Sequence, residues 1–385
     1  MNASAAPAPS HTPVLAERVV DLLAVGPGRR YVDCTLGLGG HSRAIAAAGG
    51  QVLGIDLDPA ALAAAGRALA SWSGVRLVRG NFSDLLSLAA AQGWASVDGI
   101  LLDLGLCSLH VDDPGRGFSF TSPALADMRF DPDAPLTAND LLNDLAEEDL
   151  ADLIRRGGEE PAARPIARAI VARRPIESAR MLADVVAAAV GHRHGVGTHP
   201  ATRTFQALRL EVNQELDRLH AVLPRTLDLL APGGRLVVIA YHSLEDREVK
   251  QFLQRESRDC ICPAGLPECR CGHRAVLRLL NRHPERPDPG EVARNRRARS
   301  ARLRAAERLS WPAGPVGYSH LSPGPFPVRE GELPPRNRGH KLPSPRRGGT
   351  EGEVTKDLSP GPLRQAQGKL FPAREGEPAF PPAEW

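Results

Sequence analysis

Between residues 31 and 110 short β-rich runs alternate with Ala/Leu-rich helical stretches, and that rhythm restricts the fold more than any other feature. Candidate strands are residues 31–35 (YVDCT), 51–56 (QVLGID), 75–79 (VRLVR) and 99–103 (GILLD). Helices are predicted at 41–48 and after Pro59. Strands separated by helices cannot pair as tight hairpins, so each connection must cross over and return. The outcome is an α/β fold with a parallel, doubly wound sheet.

The rhythm stops near Asp112. Up to His199 there is no β-rich run, only acidic and Arg-rich helical segments at 138–156, 162–174 and 181–190. Residues 204–230 then read as one long amphipathic helix, ended by Pro232-Gly233-Gly234, and residues 235–241 (RLVVIAY) as another buried strand. The pattern predicts an α/β domain in two parts, 1–111 and 201–310, around a helical insertion at 112–200. Most of the 35 prolines are unevenly spread, and beyond Ser310 the composition collapses into Pro, Gly, Arg and Glu. Residues 321–332 (LSPGPFPVREGE) echo 358–362 and 371–377 imperfectly, too little for a repeat fold. Residues 311–385 are expected to be a disordered tail, because they cannot bury enough apolar surface to fold.

No apolar run approaches the roughly 18 residues needed to cross a bilayer, and residues 1–10 lack the charged and apolar regions of a secretory signal. A cytoplasmic protein without a membrane partner is expected. The net charge of +3 excludes no partner, but residues 294–304 (RNRRARSARLR) hold six arginines in eleven positions. That density suits phosphates, and equally a solvated face. Four of the six cysteines cluster as Cys260-x-Cys262 and Cys269-x-Cys271. They read as a four-thiolate zinc site or as a reduced surface loop, the C-x-C spacing being tighter than the usual C-x2-C.

Four features lie at the carboxyl ends of neighbouring predicted strands, where open α/β sheets bind ligands. The first strand runs into Gly37-Leu38-Gly39-Gly40-His41, a turn that lets backbone approach a ligand ahead of a helix N-terminus. Its G-x-G-G-H spacing departs from the dinucleotide fingerprint G-x-G-x-x-G, which disfavours a dehydrogenase. Asp56 ends the second strand, where a carboxylate accepts ribose hydroxyls. Asn81-Phe82 follow the third, placed for adenine stacking, and Asp103 ends the fourth. Together they predict a cofactor of the adenosine type.

With these strings in view, the chain resembles the bacterial 16S rRNA (cytosine-N4) methyltransferases, which modify the exocyclic amine of a decoding-centre cytosine. The likeness covers residues 11–309. It rests on 11–15 (HTPVL), 33–42 (DCTLGLGGHS), 54–59 (GIDLDP), 103–108 (DLGLCS), 117–120 (GFSF) and 127–129 (DMR). Residues 199–216 (HPATRTFQALRLEVNQEL), 241–247 (YHSLEDR) and 295–304 complete it. The resemblance implies a class I, Rossmann-like methyltransferase sheet with an all-helical insertion, S-adenosylmethionine as cofactor and small-subunit rRNA as partner. It carries cofactor contacts onto Gly39, Gly40, His41, Asp56, Phe82, Asp103 and His110. Where the family commonly has Ser-Ser and then Gln, this chain has Cys107-Ser108 and His110, and Tyr241 replaces a usual Phe.

Asp103 and His242 are the candidate catalytic residues. Asp103 stands where DNA amino-methyltransferases place the acceptor for the target amine, though without their Pro-Pro-aromatic motif, and holding the cofactor is its favoured role. His242 is placed either to touch the base or to cap the following helix. The insertion arginines Arg155, Arg156, Arg164, Arg168, Arg173 and Arg174 are the expected RNA grip, intrahelical pairing being the simpler account of some. The competing functions are methylation of another nucleic acid or of protein, and a non-catalytic RNA-binding assembly factor on the same fold.

Overall fold

The structure, a computed structural model, describes residues 13–191, 199–263, 266 and 268–310. The sheet comprises β1 (Arg30–Asp33), β2 (Gln51–Asp56), β3 (Val75–Arg79), β4 (Val97–Asp103), β5 (Leu230–Ala240), β6 (Leu277–Leu279) and β7 (Arg302–Arg308). Their order is β3-β2-β1-β4-β5-β7-β6. The first five strands run parallel, and β7 is antiparallel to both β5 and β6.

Apolar runs such as GILLD and LVVIA follow from burial on both faces. Val32, Leu53, Ile100, Leu102, Leu236 and Val238 point to one side, beneath helices Leu85–Ala91, Glu215–Leu229 and Ser243–Glu256. Tyr31, Val52, Leu101, Val237, Ile239 and Leu303 point to the other, against helices Ala16–Leu23 and Gly40–Ala47. The α/β class predicted from the sequence holds.

A separate helical core gathers residues from Phe118 to Val212. It is built from helices Ala138–Asp144, Glu147–Gly158, Ala163–Ala172, Ala179–Val190 and Thr202–Asn213. Two sequence expectations are corrected here. The single helix expected at 138–156 is two, parted at Leu145 and Ala146. The long helix expected at 204–230 is also two, because Gln214 adopts left-handed dihedrals (φ 50°, ψ 37°) between Thr202–Asn213 and Glu215–Leu229. Phe205, Leu208 and Val212 on the first pack into the helical core, whereas Leu219, Val222 and Leu223 on the second pack on the sheet. The helical core thus runs past the boundary expected at residue 200.

Pro232-Gly233-Gly234 does not precede β5 but lies within it. Leu230 pairs with Val97 and Arg235 with Gly99, so a bulge absorbs the intervening residues. The tail predicted at 311–385 lies outside the described residues.

Candidate active site

Five parallel strands deliver their last residues to one edge of the sheet. Gly39 caps helix Gly40–Ala47 with φ +76°, and a Cβ there would lie 2.7 Å from Leu69 Cδ1. Only glycine meets both demands; its own N–H donates to Leu36 O at 2.8 Å, and the first amides of the helix that follows have no intrahelical acceptor. Gly40 follows as the first helical residue.

Asp56 at the end of β2 ties this turn down. Its Oδ2 accepts from the Gly37 N–H at 2.8 Å and its Oδ1 from the Asp58 N–H at 2.9 Å. Burial pushes its carboxyl above the ordinary range, against the pull of those two amides. A carboxylate has about four lone-pair sites, so capacity for a ligand remains. Phe82 opens a short 3-10 turn after β3 and is partly buried against the sheet core.

Asp103 at the end of β4 stands between Tyr241 and His41. Tyr241 Oη donates to Oδ1 at 2.8 Å, and His41 Nε2 lies 3.3 Å from Oδ2. Its own N–H donates to Thr35 Oγ1 at 2.6 Å. Burial, then the neighbouring Asp103 carboxylate, raises the Tyr241 phenol well above its usual value, so it remains a donor. His41 is nearly enclosed; burial opposes its charging, but Asp103 and Asp33 prevail and raise its pKa. Asp33, also buried, is held by Ser42 Oγ at 2.7 Å. His41 Nδ1 has no hydrogen-bond partner among the described residues, a buried polar atom at the sheet edge.

His242 is the N-cap of helix Ser243–Glu256. Its Nδ1 accepts from the Glu245 N–H at 3.4 Å, while Nε2 lies 2.9 Å from Glu245 Oε1. Glu245 Oε2 accepts from the Tyr241 N–H at 2.9 Å and from the His242 N–H at 3.4 Å, the latter completing a reciprocal capping box. Both ring nitrogens of His242 thus face Glu245. Burial works against ionisation of Glu245, yet His242 and Arg209 hold it below the ordinary carboxyl range. Arg209 also grips Glu215 through two contacts, at 2.7 and 3.1 Å. A Cβ on Gly105 would lie 3.8 Å from Tyr241 and 4.0 Å from Arg209. The strings DLGLCS, HPATRTFQALR and YHSLEDR therefore converge.

His110 faces Asp58. Its Nε2 lies 3.1 Å from Asp58 Oδ2, its Nδ1 3.4 Å from the Cys107 N–H, and its ring stacks with Phe118 and Phe130 at 5.3 and 4.8 Å. The expected cofactor contact at position 110 thus has its Nε2 engaged by Asp58 within the protein, while Nδ1 can accept from the Cys107 N–H only in the neutral ring. Burial alone would lower its pKa, but the Asp58 carboxylate carries it up to about 9. Asp58 also caps helix Pro59–Ala68 and accepts from Arg116 Nη1 at 2.9 Å. Despite its burial it is held far below the usual carboxyl range by His110, the Ala60 amide and Arg116. Arg116 in turn donates to the carbonyls of Arg129 and Phe130 at 2.6 and 3.2 Å. Asp58, Arg116 and the Tyr241–Asp103 bond were missed from sequence. The signal for Asp58 was its place before Pro59, where a helix N-cap belongs.

The basic residues divide. Arg297 is spent on Ser108 and Asp112, and Arg302 and Arg304 both bind Asp246. Arg155 pairs with Asp152, Arg168 with Glu147, and Arg174 with the carbonyls of Leu142 and Leu145. Arg156, Arg164, Arg173, Arg294, Arg296 and Arg299 are exposed. Among the described residues no helix is long and apolar enough to cross a membrane.

Five parallel strands followed by an antiparallel β7 inserted beside the fifth, with a glycine turn and carboxylates at the edge, define a Rossmann-like methyltransferase. Residues 8–309 match the MraW methylase family, and the chain belongs to it. It is 54% identical over 309 residues to a ribosomal RNA small subunit methyltransferase H of Thermomicrobium roseum, covering 78% of this chain and 94% of that one. It is 49% identical over 315 residues to the protein of that name from Syntrophobacter fumaroxidans, covering 80% of this chain and 99% of the relative.

Proposed function

We propose that this chain transfers a methyl group from S-adenosylmethionine to the exocyclic amine of one cytosine in small-subunit (16S) rRNA, in the cytoplasm. The observation that carries this reading is the convergence of Gly39, Asp56, Phe82 and Asp103 at the ends of four adjacent parallel strands. The edge fits the cofactor: Gly39 keeps the turn free of a side chain, Asp56 retains lone pairs, and His41 offers an unpartnered buried nitrogen. Gly39, Gly40, His41, Asp56, Phe82 and Asp103 would hold it. His110 acts through Asp58, whose N–H donates to Asp56 Oδ1. When bound, S-adenosylmethionine supplies a sulfonium methyl electrophilic enough to be taken by a nitrogen lone pair.

The protein's task is alignment, because an amine conjugated to its ring is a poor nucleophile and gains most from orientation. Asp103 is fixed by Tyr241 and faces His41, leaving a lone pair on each oxygen for cofactor or amine. His242 works one step back: with Glu245 it holds the backbone at Tyr241, and hence the donor to Asp103. Exposed Arg156, Arg164 and Arg173 offer the insertion, residues 112–200 by sequence, as an RNA grip. The target cytosine must leave its stack to reach the edge.

Attack on a ring carbon would instead require a cysteine nucleophile. Cys34 is buried, and Cys107 caps the short helix Ser108–Asp112 with its Cβ near Gly37. Mass spectrometry of digested rRNA from a deletion strain, complemented with wild type or Cys107→Ser, tests the reading. Both genes should restore an amine-methylated cytidine. A ring-methylated product, or a folded, cofactor-binding but inactive Cys107→Ser, would overturn it.

A further inference from the structure

The loop between helix Ser243–Glu256 and β6 carries chemistry that methyl transfer leaves unused. Its base is closed by two hydrogen bonds: the Val276 N–H donates to the backbone Glu256 O at 2.8 Å, and the Ala275 N–H to the side-chain Asp259 Oδ1 at 3.2 Å. Beyond that base it has no core, for none of its described residues from Ser257 to Val276 is buried. Ile261 and Leu266 are two of only three large hydrophobic residues exposed among those described. Something other than apolar packing must give this loop its shape.

We propose that Cys260, Cys262, Cys269 and Cys271 form a structural zinc site. The four Sγ atoms lie within 4.8 Å of one another although they come from two arms of the loop. Cys269 and Cys271 sulfurs are 3.5 Å apart, and Cys271 and Cys260 sulfurs 3.8 Å. Four sulfurs at a zinc bond length of about 2.3 Å occupy a tetrahedron with edges of roughly 3.8 Å. A disulfide needs about 2.05 Å, so neither pair is bonded.

The two arms are also related in their hydrogen bonding. The amide between the first two cysteines, Ile261 N–H, donates to Cys271 Sγ at 3.4 Å. The amide between the second two, Arg270 N–H, donates to Cys262 Sγ at 3.4 Å. Each arm thus presents a backbone donor to a sulfur of the other, and such donors favour thiolates over thiols. On binding, each thiol releases its proton to solvent and no electron is transferred. With all four ligands from protein the site is closed, as structural zinc sites are, and it has no open position for catalysis. The metal would pin the loop tip as the hydrogen bonds pin its base.

The test uses the full chain purified under reducing conditions from zinc-supplemented cells. Elemental analysis should find about one zinc per chain, and close to none in Cys260→Ser/Cys269→Ser. Cobalt(II) added to chelator-treated wild type should give the intense near-ultraviolet thiolate-to-metal band of a tetrahedral thiolate site. Because the cysteines lie outside the core, the double variant should keep its far-ultraviolet circular dichroism and cofactor binding. Metal-free, folded wild type that takes up neither ion overturns the proposal. So does a double variant that keeps its zinc, or mapping of disulfides among these cysteines under the same reducing conditions.

Discussion

Replacing His110 with glutamine isolates one charged contact at the joint between sheet and insertion. In the folded protein the His110 pKa is about 9, against an ordinary 6.5. A folded-state value above the unfolded one means that folding binds a proton. The stabilisation is therefore full below about pH 6.5 and is lost as the pH rises through about 9. At 1.36 kcal/mol for each tenfold gain in proton affinity, the contact is worth about 3 kcal/mol when fully charged. The depressed Asp58 carboxyl reports the same contact from the other side and is not added. Its own window is acidic: that stabilisation is present above the ordinary 3.8 and lost as pH falls toward the depressed value. Glutamine still reaches Asp58 with an amide donor but carries no charge, and Arg116 continues to balance the carboxylate. Denaturant unfolding at pH 6, 7, 8, 9 and 10 should show the stability gap between wild type and His110→Gln narrowing by about 3 kcal/mol across the series. Other titrating groups cancel in the comparison. Parallel pH profiles for the two proteins would refute the assignment of a charged His110–Asp58 pair.

Asp56→Ala should weaken S-adenosylmethionine binding by on the order of 1.5–3 kcal/mol, by removing charge-assisted hydrogen bonds and freeing the Gly37 amide. Wild-type affinity by calorimetry would remove Asp56 from the cofactor site. Tyr241→Phe should cost about 1 kcal/mol of stability while leaving the fold intact, since it leaves a half-buried Asp103 oxygen without its donor. Methylation should slow at saturating substrate more than KM rises, and unchanged kinetics would make the hydroxyl irrelevant to the positioning of Asp103.

Legibility in the sequence followed the range of the interactions. The strands 51–56 and 75–79 carry period and composition locally, and β2 and β3 fall on those residues. The places of Asp56 and Asp103 at the edge were legible because each ends a strand whose run is unmistakable, and that of Gly39 because it lies in a glycine-rich turn between a strand and a helix. The break at Gln214 was not, since a residue in left-handed dihedrals inside a helical pattern leaves no periodic trace. It is set by two cores claiming the two halves. The His110–Asp58 contact spans 52 positions and Tyr241–Asp103 spans 138, so neither had a local signature. Tyr241 read as a mild exchange for phenylalanine because aromatic size was all that sequence offered. Its hydroxyl has a partner only once β4 and β5 lie side by side. The arginine run looked uniform, yet Arg297, Arg302 and Arg304 are consumed by carboxylates and a serine from other segments.

The position of β7 bears on the order in which the molecule can be completed. The last strand among the described residues lies between β5 and β6, pairing Val237 with Ala305 and Leu279 with Ala306. Until residue 308 is available, β5 presents an unpaired row of amides and carbonyls along one of the most apolar segments of the chain. Such an edge recruits foreign strands. The insertion can assemble earlier from contacts closer in sequence, whereas the sheet waits for its final segment, and long-range closure of this kind is slow. Chains cut or stalled before β7 should therefore aggregate through β5 even though every residue of the methyl-transfer edge has already been made.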